Sequence, residues 1–385
     1  MPAFNSRIQA ALAARQAKGL SRSLRPLLSG NQVEVEYQGT RYLNFSNNDY
    51  LGLANDPDLV KRWQEGLSLY GAGSGASPLV TGFCSAHQNL EQQLCEWLGY
   101  QRAILFNSGF SANQAALFAL LEKGDLLLQD KLNHASLMEA GSLCAATMKR
   151  FKHNDMAHLA NLMNSPSPTL VVTEGVFSMD GDQAPLGEIN RLIEAQPNSS
   201  LMVDDAHGIG VLGLDGSGSC KLAGIQPELL IVTFGKAFGM SGAAIMCSAE
   251  MGDYLTQFAR HHVYSTAMPP AQAYALSYAV IMIQNQYWRR EKLAELQQLY
   301  REKVAYLPGY IETATPIKPL LIGDADQAIN AALEMKKFGI WLTAIRPPTV
   351  PDGSARLRIT ITAAHTVNHV KALCNGLKRV VEQIN

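Results

Sequence analysis

Short apolar runs that end in small or polar residues recur through the first two thirds of the chain. They are Ala103-Ile104-Leu105-Phe106, Leu126-Leu127-Leu128, Leu170-Val171-Val172, Leu201-Met202-Val203 and Leu229-Leu230-Ile231-Val232. Each is nearly continuous and does not alternate, which predicts strands covered on both faces. Helical stretches lie between several of them, for instance Ala112 to Leu121 and Pro185 to Ala195. The order strand, helix, strand predicts an α/β fold with a mostly parallel sheet.

The last hundred residues change character. Trp288 to Tyr306 reads as a charged amphipathic helix, and Arg356-Leu357-Arg358-Ile359-Thr360-Ile361 alternates as a half-buried strand. Val367, Val370, Leu373, Leu377, Val380 and Ile384 keep helical spacing behind Thr366 as a cap. The expected division is an N-terminal helical arm over 1–40, a large α/β domain over 41–285 and a small C-terminal α+β domain over 286–385. A long helix near 280–290 is expected to bridge the last two.

Composition narrows the function classes. Apolar residues are 47% of the 385 positions and charged residues 17%, which supports a large core and argues against disorder. The net charge of −1 leaves no overall footprint for nucleic acid or anionic lipid, so neither is expected as a partner. No apolar run approaches the roughly 18 residues of a membrane span. Met1 to Leu20 lacks the continuous apolar core of a secretory signal, and a cytoplasmic protein is expected. The six cysteines contain no CxxC pair and read as reduced thiols. No HExxH occurs and His261-His262 are merely adjacent, so no metal is expected.

The sharpest constellation is an acid and a lysine at the ends of two strands. Asp204 closes one apolar run, and Lys236 follows another through Thr233-Phe234-Gly235, 32 positions later. That spacing suits one strand, crossover, strand unit, so both reach the crevice outside the carboxyl ends of the strands, where open α/β sheets bind ligands. Gly235, Ala237 and Gly239 leave room beside the lysine for a planar group. Pyridoxal 5′-phosphate held by Lys236 as a Schiff base fits. It requires a carboxylate to keep its ring nitrogen protonated, which Asp204 supplies, and a phosphate cradle. Asn107-Ser108-Gly109-Phe110, before a helix from about Ser111, brings free N–H groups and a positive helix end together. Thr233 adds a hydroxyl. His207 is placed to reach the ring's phenolic oxygen and His134 to stack on the ring.

Singly, such residues are usually a solvated loop charge, a structural histidine or a plain turn. Their weight comes from falling together at one sheet edge. A rival, Gly208-Ile209-Gly210-Val211-Leu212-Gly213, matches GxGxxG, but a glycine-rich loop follows it where a nucleotide-binding helix belongs. No GxSxG elbow supports a hydrolase.

At these residues the chain resembles the α-oxoamine synthases, a pyridoxal-phosphate-dependent family with the aspartate aminotransferase type of fold. The resemblance covers nearly the whole chain. It rests on Asn44-Phe45-Ser46-Asn47-Asn48-Asp49-Tyr50-Leu51-Gly52, Thr173-Glu174-Gly175-Val176-Phe177-Ser178-Met179-Asp180-Gly181-Asp182, Asp204-Asp205-Ala206-His207-Gly208 and Thr233-Phe234-Gly235-Lys236. The segment Gly75-Ala76-Ser77-Pro78-Leu79 departs from glycine-richer members.

The resemblance implies that Lys236, His134 and Asp204 are catalytic, that Gly109, Phe110, Ser178, His207 and Thr233 contact the cofactor, and that Arg22, His134, Thr349 and Arg358 contact substrate. Arg358 would grip an amino-acid carboxylate. Tyr264-Ser265-Thr266-Ala267-Met268-Pro269-Pro270 and Thr343-Ala344-Ile345-Arg346-Pro347-Pro348-Thr349-Val350-Pro351 point within the family to the member that joins L-alanine to a pimeloyl thioester, with loss of CO2, in biotin biosynthesis. The thioester carrier, acyl carrier protein or coenzyme A, stays open. A homodimer is implied as well. The alternatives are glycine C-acetyltransferase or another α-oxoamine synthase and, in a different class, a nicotinamide-dependent oxidoreductase.

Overall fold

The computed structural model describes residues 2–28, 30 and 32–384. At its centre the continuous apolar runs form a seven-stranded sheet in the order Arg102–Phe106, Ala243–Cys247, Leu229–Thr233, Ser199–Asp204, Thr169–Glu174, Leu126–Asp130, Thr147–Phe151. Every strand runs parallel except Ala243–Cys247, which is antiparallel to both neighbours. Successive side chains leave opposite faces of a strand. Leu201 and Val203 therefore pack into one core with Leu186, Ile189 and Ile193, while Met202 packs into another with Ala112, Ala115 and Leu137. Burial on both faces is the reason the runs show no alternation.

Two smaller sheets stand apart from this one. Ala355–Thr360 lies between Ile317–Gly323 and Thr343–Ile345, antiparallel to both. Near the N-terminus, Glu34–Tyr37 and Thr40–Asn44 form a hairpin whose two turn residues, Gln38 and Gly39, have φ of 51° and 75°. Positive φ at both central positions is the turn that matches strand twist. Ile340–Trp341 then pairs parallel with Thr40–Asn44 and joins the start of the chain to its last third. Pro2–Ala17 is an exposed helix.

Two expectations change in detail. The helix expected from Ser111 begins two residues earlier, at Gly109, because the Ser108 hydroxyl accepts from Ser111 N–H and caps it. In place of one bridging helix, Pro270–Asn285 and Trp288–Val304 meet at a break. There Arg289 turns inward to pair with Asp56 and donate to Leu51 O. The C-terminal helix, Val367–Ile384, is capped by Thr366, whose hydroxyl accepts from His369 N–H while its own N–H donates to His369 Nδ1. Val370, Leu373, Leu377 and Val380 are buried as the spacing predicts. The Ile384 side chain lies outside the described residues. No helix among the described residues is long and apolar enough to cross a membrane.

Candidate active site

Five parallel strands deliver their carboxyl ends to one cavity of about 280 Å³, lined among others by Gly109, His134, Glu174, Asp204, His207 and Lys236. The register sets Glu174 level with Asp204 and Asp204 level with Ile231, so the acid and the segment leading to Lys236 come from neighbouring strands. Of the residues expected to hold the cofactor, Phe110 and Thr233 also line this cavity.

Asp204 is buried and fixed on both oxygens. Oδ1 accepts from Ala206 N–H at 3.0 Å and Oδ2 from the Asn113 side-chain amide at 2.8 Å. The same Asn113 nitrogen donates to Ser136 Oγ at 2.9 Å, and Ser136 Oγ lies 2.8 Å from His134 Nδ1. A carboxylate only accepts, so the amide must present its NH2 group. The Ser136 hydroxyl accepts from Asn113 and donates its own O–H to His134 Nδ1. That nitrogen also accepts from Ser136 N–H, so the neutral ring carries its proton on Nε2. Desolvation lowers the His134 pKa; Asp204 opposes it and Lys236 adds to it.

Desolvation also lowers the Lys236 pKa, against the pull of Asp204 and Glu174. Its Nζ lies 3.5 Å from Thr233 Oγ1. His207 is buried and held well below its usual range, first by burial and then by Lys236 and Arg358. Its Nδ1 is 2.5 Å from Tyr50 Oη. Burial pushes Tyr50 up to about 12, so the phenol keeps its proton. With Arg358 on its oxygen, Tyr50 directs that proton to His207 Nδ1 and leaves Nε2–H free to donate.

The Ala355–Thr360 strand is buried along its whole length, which corrects the half-buried alternation expected for it. Two arginines tolerate burial because their guanidinium groups are satisfied. Arg356 pairs with Asp180. Arg358 donates to Ser178 O at 2.6 Å, Thr360 Oγ1 at 3.1 Å and Asn48 Oδ1 at 3.1 Å. Asn48 lines the cavity, so Arg358 stands immediately behind its wall. Ser178 is on the turn that supports Arg358 and does not itself line the cavity. Arg22 is on exposed coil, and Thr349 follows the cis Pro347-Pro348 bond; neither lines the cavity.

The residues fit pyridoxal 5′-phosphate on two observations. Gly109 opens the helix Gly109–Leu120, whose first-turn N–H groups have no intrahelical partner. A Cβ there would come within 2.7 Å of Thr233 Cγ2 and fill the cradle. Glu174 Oε1 and Asn113 Oδ1, both on cavity-lining residues, are buried without a hydrogen-bond partner. The site therefore offers an anion cradle, a paired carboxylate and an amine around a space with unmet polar groups.

Asn113, Ser136, Tyr50 and Glu174 were not picked out from sequence. Glu174 carried a usable signal, since it ends the Leu170-Val171-Val172 strand as Asp204 ends its own. Burial and the nearby Asp204 raise its pKa well above the usual range.

This architecture defines an α/β transferase of the pyridoxal-phosphate type, and the chain belongs to the aminotransferase class I and II family, whose model matches residues 40–377. Relatives named 8-amino-7-oxononanoate synthase are 64% identical in Vibrio parahaemolyticus, over 99% of both chains, and 64% identical in Vibrio cholerae, over 99% of this chain and 98% of that one. Among solved structures, Sphingomonas wittichii serine palmitoyltransferase superposes with a TM-score of 0.90 at 26% identity, covering 99% of this chain and 98% of that one. The 8-amino-7-oxononanoate synthase of Francisella tularensis gives 0.77 at 28% identity, covering 89% and 98%.

Proposed function

We propose that this chain catalyses the 8-amino-7-oxononanoate synthase reaction of biotin biosynthesis, in which L-alanine and a pimeloyl thioester give 8-amino-7-oxononanoate, CO2 and the free thiol carrier. The observation that carries it is the delivery of Asp204 and Lys236 from adjacent parallel strands to one cavity beside Gly109. The names of the near-identical-length relatives support the choice of substrates within the family. The nicotinamide alternative loses support because the 208–213 stretch lies in turns, followed only by the five-residue helix Gly218–Leu222.

When bound, pyridoxal 5′-phosphate supplies an electron sink for charge at the amino acid's α-carbon. Lys236 would hold it through the ε-amino group, and the N–H groups of Gly109 and Phe110 with the Thr233 hydroxyl would hold its phosphate. Asp204 would keep a proton on the cofactor's ring nitrogen, His207 Nε2–H would donate to its ring oxygen, and His134 would pack against the ring. The Lys236 ε-amino group would also remove and return the substrate's α-proton, a role its lowered pKa suits by enlarging the neutral fraction. Arg358 binds the alanine carboxylate with its planar fork, while Arg22 and Thr349 contact the acyl substrate.

We place this activity in the cytoplasm, in a homodimer whose protomers divide into the arm, the large domain and the small domain expected from sequence. The test is to supply the cofactor-loaded protein with alanine, glycine or serine and with pimeloyl, acetyl or succinyl thioesters on coenzyme A or acyl carrier protein. Mass measurement of the ketone should give 8-amino-7-oxononanoate from alanine and a pimeloyl thioester. Preferred turnover of glycine with an acetyl thioester overturns the assignment.

A further inference from the structure

Between the Thr169–Glu174 strand and the Leu186–Glu194 helix the chain makes an excursion over 175–184. Its neck is closed by the Val176–Gln183 bridge and by Phe177 N–H on Asp182 O at 2.9 Å. Its tip is the support of Arg358. Ser178 O accepts the guanidinium, Asp180 pairs with Arg356, and Gly181 O accepts from Thr315 Oγ1 at 2.7 Å.

His153 and its neighbour Asn154, which donates to Gln183 O at 3.2 Å, tie this excursion to the far edge of the central sheet. His153, just after the Thr147–Phe151 strand, places Nδ1 2.9 Å from Asp130 Oδ1 and Nε2 2.7 Å from Asp182 Oδ2. Both ring nitrogens face carboxylate oxygens, so both carry protons and the ring is an imidazolium. Asp130 is a firm anchor, since it is fully buried and accepts from Leu132 N–H at 2.8 Å and Asn154 N–H at 3.0 Å. Phe177 presses edge to face on the ring at 4.4 Å between centroids, and Asn154 adds a donor to Asp182 at 3.0 Å.

We propose that His153 is a positioning residue for the amino-acid substrate: clamped between Asp130 and Asp182, it fixes the 175–184 excursion so that Ser178 O aims the Arg358 guanidinium at the substrate carboxylate. The identity of that substrate rests on the function proposed above. A charge-assisted contact at each end is lost together in His153→Gln, whose amide turns an oxygen toward one of the two carboxylates. Asp182→Asn weakens only the half-exposed end and serves as the milder variant.

The test compares full-length, cofactor-loaded wild type, His153→Gln and Asp182→Asn by alanine titration, steady-state kinetics and hydrogen–deuterium exchange. In His153→Gln the Kd and KM for alanine rise about tenfold with kcat within about threefold, the pattern of lost ground-state binding. Asp182→Asn moves the same way by less. Peptides covering 177–183 gain deuterium faster, while the peptide containing Lys236 does not change. Unchanged alanine affinity, or a fall in kcat at constant KM, overturns the proposal. If wild type itself fails to bind alanine, the function proposed above is at fault. The exchange measurement then still decides whether His153 holds the excursion.

Discussion

Asn113 stands between Asp204 and the His134 ring, donating to the carboxylate at 2.8 Å and, through Ser136, setting which nitrogen of the histidine holds the proton. The group proposed to control the cofactor's ring nitrogen and the group proposed to pack on the ring thus share one buried amide. Asn113→Leu removes both donations. A hydrogen bond to a charged group contributes about 1.5–3 kcal/mol, so kcat/KM falls about 10- to 100-fold. Nitrogen NMR of labelled His134 should also show a weaker preference for the Nε2–H tautomer, which Ser136 N–H then favours without the ordered Ser136 hydroxyl. An unchanged tautomer ratio contradicts the relay.

In the proposed cofactor site Gly109 sets the depth of the phosphate cradle. In Gly109→Ala the new methyl group meets Thr233 Cγ2 at about 2.7 Å and turns the threonine hydroxyl away from the cradle. Crowding of this kind costs about 1–3 kcal/mol, so the cofactor's Kd rises at least about fivefold. The Tm of the cofactor-free protein should fall by only a few degrees. Equal cofactor affinity in a fluorimetric titration would place the phosphate elsewhere.

Arg358→Lys tests the carboxylate contact. A lysine keeps the charge but lacks the fork that meets Ser178, Thr360 and Asn48 together. The KM for alanine should rise about tenfold or more, while cofactor binding stays within about twofold. A variant with wild-type alanine KM removes Arg358 from the binding site.

The His153 clamp also predicts a pH dependence of stability. Burial opposes the charge on His153, but the hydrogen bonds and the Coulombic attraction of Asp130 and Asp182 together outweigh it and raise its pKa from 6.5 to about 10. A raised folded-state pKa means the folded protein binds the proton more tightly, so the contribution is complete below pH 6.5 and is lost as pH rises through about 10. The Tm gap between wild type and His153→Gln should be widest near pH 6 and narrow steadily from about pH 6.5 to about pH 10. A gap that widens with rising pH reverses the assigned sign.

The sequence made the central sheet legible because strands buried on both faces must be apolar throughout, and Asp204 and Lys236 interrupt such runs at their ends. Two strands escaped that reading. Ala243–Cys247 is apolar throughout but opens on two alanines, which favour strands weakly, and Thr147–Phe151, at the sheet edge, exposes Lys149 and Arg150. Arg356 and Arg358 misled for a different reason: alternation reports which side of a strand is polar, not whether Asp180 and Ser178 wait there to satisfy it. Asn113 and Ser136 lie inside helices among alanines and leucines, where nothing in their spacing marks them as partners of Asp204 and His134.

The proposed function requires Lys236 to be the amine that takes up pyridoxal 5′-phosphate. The direct measurement is to load the purified protein with the cofactor, reduce it with borohydride, digest it and map the pyridoxyl mass by tandem mass spectrometry. The mass should fall on Lys236 alone and disappear in Lys236→Ala together with turnover. A stable adduct on any other lysine, or undiminished labelling of the variant, contradicts the account.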